Sequence, residues 1–214
     1  MKIKHLDRYK RSSIRSYDKW DNYDQCFFFK IFKTEEWIKA IRSEIDKIEE
    51  AIILDVGCGT GRILEPLTTF QPKKLCGMDI SEGILKIASK KPKIKDFNLE
   101  LKRGDAETEI PWEDSYFDYV LIPGVFHHFF RPFDALREVQ RVLKDNGKMI
   151  MIEPIFPFPL RIIMNAFLLI TPVKGDCQFY TVKSLEEMLK EAHFYNISSK
   201  PLPWAACISG RKSQ

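Results

Sequence analysis

The chain is poor in glycine, with ten in 214 residues against roughly 7% in an average protein, which excludes collagen-like and glycine-rich low-complexity architectures. Its five cysteines, Cys26, Cys58, Cys76, Cys177 and Cys207, are an odd set without a C-x-x-C pair or a histidine at ligand spacing. That pattern argues against a disulfide framework and against a structural zinc site, and no metal is expected. The longest apolar run, Ile162 to Ile170, is interrupted by Asn165 and bounded by Pro159 and Pro172, well short of the ~20 residues that cross a bilayer. No hydrophobic stretch before Cys26 offers a secretory signal, so a reducing, cytoplasmic setting is the expectation. Internal repeats and an interdomain linker are absent as well.

What is present is an ordinary globular composition, 44% hydrophobic, 30% charged and 13% aromatic, long enough for one domain with a real core. The net charge of +4 is unevenly spread. Lys2, Lys4, Arg8, Lys10, Arg11 and Arg15 against Asp7 give the first fifteen residues +5, which leaves −1 for the rest. The basic character therefore belongs to a short arm, read either as a solvated tail or as a contact for an anionic membrane surface; no nucleic-acid partner is expected.

Beyond an aromatic segment that includes Tyr17 and Trp20, Thr34 reads as a helix cap, and Trp37 or Ile38, Ile41, Ile45 and Ile48 form one apolar stripe. The period then changes. Short β-branched or apolar runs at 52–56, 74–79, 97–103, 117–122 and 148–153 alternate with helical stretches. One helix is capped by Ser81 and stopped by Pro92, and another carries Phe133, Leu136, Val139 and Leu143 on one face. Such alternation predicts a doubly wound α/β fold, a mostly parallel sheet with helices on both faces. After Glu153 prolines punctuate an apolar segment, a helix returns around Leu185 and Leu189, and two runs at 195–199 and 205–209 suggest a terminal pair with an antiparallel edge.

Three of the ten glycines, Gly57, Gly59 and Gly61, fall within five residues at the end of the first strand. Such a loop lets a ligand approach the backbone and directs N–H groups towards it; a tight strand-to-helix turn is the plainer alternative. A dinucleotide fingerprint, G-x-G-x-x-G, would need glycine at 62, where Arg62 stands. Asp55 precedes the loop and can reach either its amides or a cationic ligand group. Asp79 ends the second strand, placed to accept from two ribose hydroxyls or to cap the next helix. Asp105 follows the third strand beside Ala106, within reach of an adenine edge.

Leu54-Asp55-Val56-Gly57-Cys58-Gly59-Thr60-Gly61-Arg62 resembles the first motif of the small class I S-adenosylmethionine-dependent methyltransferases, and Gly77-Met78-Asp79-Ile80-Ser81 resembles their ribose-binding second. Gly104-Asp105-Ala106-Glu107 is similar to the adenine-contacting segment, and 117–120 with 125–129 to the fourth strand and its loop. The branch includes ubiquinone- and menaquinone-type enzymes. The resemblance implies a Rossmann-like seven-stranded sheet with its last strand antiparallel. It further implies S-adenosylmethionine as cofactor, S-adenosylhomocysteine as product, and binding through Asp55, the three glycines, Asp79, Ile80, Asp105, Ala106 and Pro123. Two departures are Asp145-Asn146-Gly147, where relatives often carry Pro-Gly-Gly and where Gly147 is expected to keep the turn, and Pro123, where many relatives carry a small polar residue.

His127 and His128 lie at the mouth of this site, each either a base for the acceptor's proton or part of the scaffold, since in-line methyl transfer is driven mainly by positioning. The expected organisation is a basic arm and N-terminal lid with helix at 1–50, and a methyltransferase domain at 51–214 with an apolar insertion at 154–176. That insertion, with Phe156, Phe158 and Phe167, reads as extra core, as a dimer contact, or as an apolar lid and acceptor pocket that Tyr17 and Trp20 would close. The expected function is methyl transfer to a small molecule, apolar or aromatic rather than highly charged, by a monomer or homodimer. Two rivals stand beside it: methylation of a quinone or lipid through peripheral membrane contact, and a non-catalytic S-adenosylmethionine-binding regulator.

Overall fold

The structure is a computed structural model in which residues 34–97, 99–170 and 177–213 are described; Tyr17, Trp20, the basic arm and Pro172 lie outside them. Helix α1 (Thr34–Glu44) precedes strand β1 (Ile52–Val56), short helix α2 (Leu64–Leu67) and β2 (Lys74–Asp79). Helices α3 (Glu82–Ala88) and α4 (Pro92–Asp96) then lead to β3 (Leu99–Arg103) and β4 (Phe117–Pro123). The order continues with α5 (Pro132–Val142), β5 (Leu143–Pro154), α6 (Phe158–Ile170), α7 (Val182–Glu191), β6 (Phe194–Leu202) and β7 (Ala205–Lys212).

The seven strands form one sheet in the order β3-β2-β1-β4-β5-β7-β6. Strands β1 to β5 pair in parallel, whereas β7 is antiparallel to both β5 and β6. The last strand is thus antiparallel as expected, but it is inserted inside the sheet and β6 takes the edge. Strand alternation sorts side chains to two cores. Leu54, Val56, Val120 and Ile122 pack towards α5 and α7, while Ile53, Leu75, Leu121 and Ile150 pack towards α1, α2 and α3. Each such side chain, wholly withdrawn from water, contributes about 1.5–3 kcal/mol, which is why the β-branched runs specify the sheet.

Several local expectations are corrected. Pro92 does not end a helix but opens α4, at the first position, where its missing N–H costs nothing; α3 has already ended at Ala88. The buried stripe of α5 is Ala135, Leu136, Val139 and Val142, so Phe133 points outwards, 37% exposed, and Leu143 belongs to β5. Between Leu143 and Lys148 the pairing with β4 slips. The left-handed residue of that slip is Asn146 (φ +62°) rather than Gly147; Gly147 is needed for room, because a Cβ there would meet the Lys144 carbonyl oxygen at 2.7 Å. The insertion is largely helical. Pro159 sits in the first turn of α6, where proline is tolerated, and the Arg161 amide donates to the Pro157 carbonyl at 3.0 Å.

At the base of the sheet the Glu44 carboxylate is buried and ion-paired with both Lys148 and Lys200, and it accepts from the Ser209 hydroxyl at 3.0 Å. This joins the end of α1 to β5, β6 and β7. Burial by itself would raise the Glu44 pKa, but the hydrogen bonds from Lys148, Lys200 and Ser209 outweigh it and hold it at about 2, against 4.5 ordinarily.

Candidate functional site

Asp55, Asp79 and Asp105 stand at the carboxyl ends of three adjacent strands or just beyond them, which is where open α/β sheets bind ligands. The loop after β1 turns through Gly57, Gly59 and Gly61 with φ of +68°, +54° and +77°, a region L side chains resist. Space matters equally at Gly57, where a Cβ would lie 2.6 Å from Cγ2 of Val125. The loops after β1 and β4 therefore meet across a residue without a side chain. The Cys58 amide donates to the Met78 carbonyl at 2.9 Å and fastens the loop to β2.

Asp55 is fully buried, and neither of its carboxylate oxygens has a hydrogen-bond partner among the described residues. It does not reach the loop amides. Burial, reinforced by the nearby charge of Asp79, raises its pKa well above the carboxylate range. Asp79 is placed differently: Oδ2 accepts from the Gly59 amide at 3.0 Å and Oδ1 from the Ser81 amide at 2.9 Å. The helix cap is Ser81, whose hydroxyl accepts from the Ile84 amide. Burial raises the Asp79 pKa, and these backbone hydrogen bonds oppose the rise. The Ile80 amide is a third backbone donor to this carboxylate, which still keeps acceptor capacity for a further donor.

Ile80 is half-buried, and its carbonyl accepts from Arg103 Nε at 3.2 Å. Asp105 turns one oxygen back to the Glu107 amide at 3.0 Å, and Ala106 beside it is buried. Pro123 is the buried last residue of β4, in register with Ile152, and the Gly124 amide donates to the Ile152 carbonyl at 2.7 Å.

His127 is buried, with Nδ1 2.8 Å from Oε2 of Glu153, whose Oε1 accepts from the Phe126 amide at 2.8 Å. Phe179 stacks on the His127 ring at a centroid distance of 5.3 Å, and Phe156 meets Phe179 edge-on at 5.0 Å. His128 is less buried and lies near enough to Asp79 to favour its ionised form. Phe158 and Phe167 are 72% and 55% exposed on α6, whereas Phe156 of the same insertion is partly buried against the core on the α1 side of the sheet.

Glu153 and Phe179 were not singled out from the sequence. An acid directly after the buried run Met149 to Ile152 was the available signal for Glu153; Phe179 had none, because its contact depends on α6. Asn165 of that helix forms a reciprocal pair with the Phe179 backbone, donating to its carbonyl at 2.9 Å and accepting from its amide at 2.8 Å. The polar side chain of α6 thus faces inwards, while Ile162, Ile163 and Phe167 face outwards.

A family profile described as a methyltransferase domain matches residues 54–151. An uncharacterised protein of Methanocaldococcus jannaschii is 31% identical over 183 residues, covering 86% of this chain and 79% of the relative. The chain belongs to the small class I S-adenosylmethionine-dependent methyltransferases. A demethylmenaquinone methyltransferase of Staphylococcus epidermidis is 29% identical over 181 residues, covering 82% of this methyltransferase and 73% of the relative. The fold matches that of an S-adenosylmethionine-dependent methyltransferase from Thermotoga maritima with a TM-score of 0.73 at 21% identity, over 92% of this chain and 98% of that one.

The enzyme uses S-adenosylmethionine for methyl transfer, and the residues present fit that cofactor. An unpartnered buried carboxylate at Asp55 matches a cationic ligand, spare acceptor capacity at Asp79 matches a diol, and the glycine loop admits a close backbone approach. Among the described residues no helix is long and apolar enough to cross a membrane, and no cluster of three potential metal ligands occurs.

Proposed function

We propose that this methyltransferase acts in the cytoplasm on a small apolar phenol or hydroquinone of the quinone type. The observation that carries the reading is the aromatic wall of Phe156 and Phe179 against His127, at the carboxyl ends of β4 and β5 and continuous with α6. The Staphylococcus epidermidis relative is named for an acceptor of this kind, demethylmenaquinone. Four free thiols among the described residues, Cys58, Cys76, Cys177 and Cys207, accord with a reducing compartment.

Residues 51–214 form the catalytic unit in this reading, and 1–50 supply an arm, a lid with Tyr17 and Trp20, and α1. Bound S-adenosylmethionine supplies the methyl group on a positively charged sulfur. Gly57, Gly59 and Gly61 hold its amino-acid portion and Asp55 faces its positive charge. Asp79 and Ile80 hold the ribose, Asp105 and Ala106 the adenine, and the Pro123 carbonyl the methionine end. His127 receives the acceptor's hydroxyl proton and His128 shapes the pocket between His127 and Asp79; Phe158 and Phe167 border the entrance.

The test is S-adenosylhomocysteine release from a panel of apolar hydroquinones and naphthols set beside polar amines and carboxylic acids. Turnover confined to the apolar phenols is expected. Turnover confined to polar acceptors overturns the reading, and cofactor binding without any turnover makes the chain a regulator.

A second reading is favoured by the inverted face of α6, with Asn165 turned in and Ile162, Ile163 and Phe167 turned out. A helix of that kind suits the interfacial zone of a bilayer, where an apolar quinone resides, and the basic arm adds attraction to anionic lipid. Sedimentation with phosphatidylglycerol vesicles at low and high salt tests it; Phe158→Ser with Phe167→Ser should abolish binding, and equal sedimentation of variant and wild type overturns it.

A further inference from the structure

We infer that Arg141, seated by Glu138 on the last turn of α5, is a positioning residue for the cofactor's adenine, because its guanidinium holds the two carbonyls that flank Pro111 and so sets where the loop after β3 places Asp105 and Ala106. The inference rests on the reading above in which Asp105 and Ala106 hold the adenine. Its geometric basis is the complete use of one side chain. Nη2 of Arg141 donates to the Ile110 carbonyl at 2.7 Å, and Nη1 donates to the Trp112 carbonyl at 2.9 Å. Nη1 also donates to Asp114 Oδ1 at 2.8 Å, while Nη2 and Nε donate to Glu138 Oε2 and Oε1 at 2.7 and 3.0 Å. Every N–H of the guanidinium fork is thereby spent on this loop and on Glu138. The Glu138 oxygen that receives Nη2 accepts in turn from the Ile110 amide at 2.8 Å. The pair therefore grips both backbone groups of Ile110, whose side chain is fully withdrawn from water. The hydrogen bond from Arg141 holds the Glu138 carboxyl below its ordinary range, so the pair stays charged at neutral pH.

Pro111 carries this grip to the site. A Cβ at Gly104 would lie 2.9 Å from Pro111 Cδ and 2.9 Å from Met78 Cε, so the loop returns onto its own first residue, which immediately precedes Asp105. The Thr108 and Glu109 amides close the return by donating to the Asp105 carbonyl at 2.8 and 2.9 Å. Its near side is held from the other end of the same helix. The Arg131 amide, just ahead of α5, donates to the Glu107 carboxylate, and Nη2 of Arg131 donates to the Glu107 carbonyl at 3.1 Å. Helix α5, packed on the sheet through Ala135, Leu136, Val139 and Val142, thus splints the loop at two points. Hydrogen bonds to a base edge fall off steeply with distance and angle. A loop released by Arg141 would therefore lose its discrimination between bases, while the ribose and amino-acid ends stay with the loops after β1 and β2.

The experiment is calorimetry of the full chain with S-adenosylhomocysteine and with S-inosylhomocysteine, in which an oxygen replaces the 6-amino group of adenine. Wild type should prefer the adenine ligand by roughly tenfold or more. Arg141→Met, similar in length and uncharged, should bring that preference to within about threefold. A residue that merely stabilised the loop would instead lower the melting temperature and leave the preference as in wild type, and that result overturns the inference. Arg141→Lys keeps the charge but lacks the planar fork that spans two carbonyls. It should lose part of the preference, and it decides by the same criterion if the methionine variant does not fold. Asp105→Ala tests the reading beneath. If wild type binds the two ligands alike, or if Asp105→Ala keeps the preference, the adenine assignment falls and the inference falls with it. A preference lost in Asp105→Ala but kept in both Arg141 variants overturns the inference alone.

Discussion

Asp79 and Gly59 are joined by a hydrogen bond of 3.0 Å, from the loop amide to Oδ2, while Oδ1 of the same side chain accepts from Ser81. One carboxylate therefore fastens the glycine loop to the start of α3, and any ligand diol it receives is held by a group already fixed from two sides. Its role in the fold and the binding role proposed for it are not separable by deletion alone.

Asp79→Ala should weaken S-adenosylhomocysteine binding by about 1.5–3 kcal/mol, the worth of hydrogen bonds to a charged group, measured by calorimetry. It should also lower stability by about 1–3 kcal/mol, because the Gly59 and Ser81 amides lose their acceptor. Asp79→Asn, which retains one oxygen, should recover part of the stability and little of the affinity.

Asp55 should trade stability against binding. Its folded pKa is raised, so its neutral form is favoured on folding. The associated stability is fully present below its unfolded value near 3.8 and is lost as pH rises towards the folded value. Ligand-free Asp55→Asn should therefore melt higher than wild type at pH 7, with the difference closing near pH 4, and it should bind S-adenosylmethionine at least tenfold more weakly. A variant that is both less stable and unchanged in affinity would contradict the cationic-ligand role.

Glu44 acts in the opposite sense. Its folded pKa of about 2 lies below the unfolded 4.5, so its contribution is present above pH 4.5 and is lost as pH falls from there towards 2. Urea titrations at pH 6 and pH 3 should show that loss in wild type and a smaller one in Glu44→Gln. At pH 6 that substitution should cost roughly 1.5–3 kcal/mol.

Exposure on α6 predicts asymmetry among phenylalanines. Phe158→Ser and Phe167→Ser should each shift stability by no more than about 0.5 kcal/mol, whereas Phe117→Ala, at a fully buried position, should cost about 3–5 kcal/mol. Thermal melts of the three variants decide it.

The strands and strand-end loops of the proposed cofactor half were legible in the sequence because their signals are local. A β-branched run, three closely spaced glycines and an acid at each strand end all lie within a few residues of what they specify. Helix α6 was hidden by its prolines and by its reversed face: Asn165 inside with Ile162 and Phe167 outside presents no pattern of a helix packed on a core. Phe133 misled in the same way, being apolar yet turned to solvent. The Glu153–His127 pair spans 26 positions and exists only because β4 and β5 are neighbours in register, which spacing along the chain does not state.

Strand β7 runs antiparallel between β5 and β6, bringing the hairpin turn at 203–204 to the rim where Ile155 donates to the Trp204 carbonyl at 3.0 Å. Apart from His127 and His128 on the turn after β4, the proposed acceptor wall is drawn from residues beyond the end of β5, and the proposed cofactor cradle from residues up to the end of β4. The two inventories share no segment. Selectivity can therefore drift by exchange of the stretch at 154–180 and the hairpin tip, leaving the methyl donor's contacts untouched, and grafting those two segments between homologues is the natural route to redirecting the enzyme.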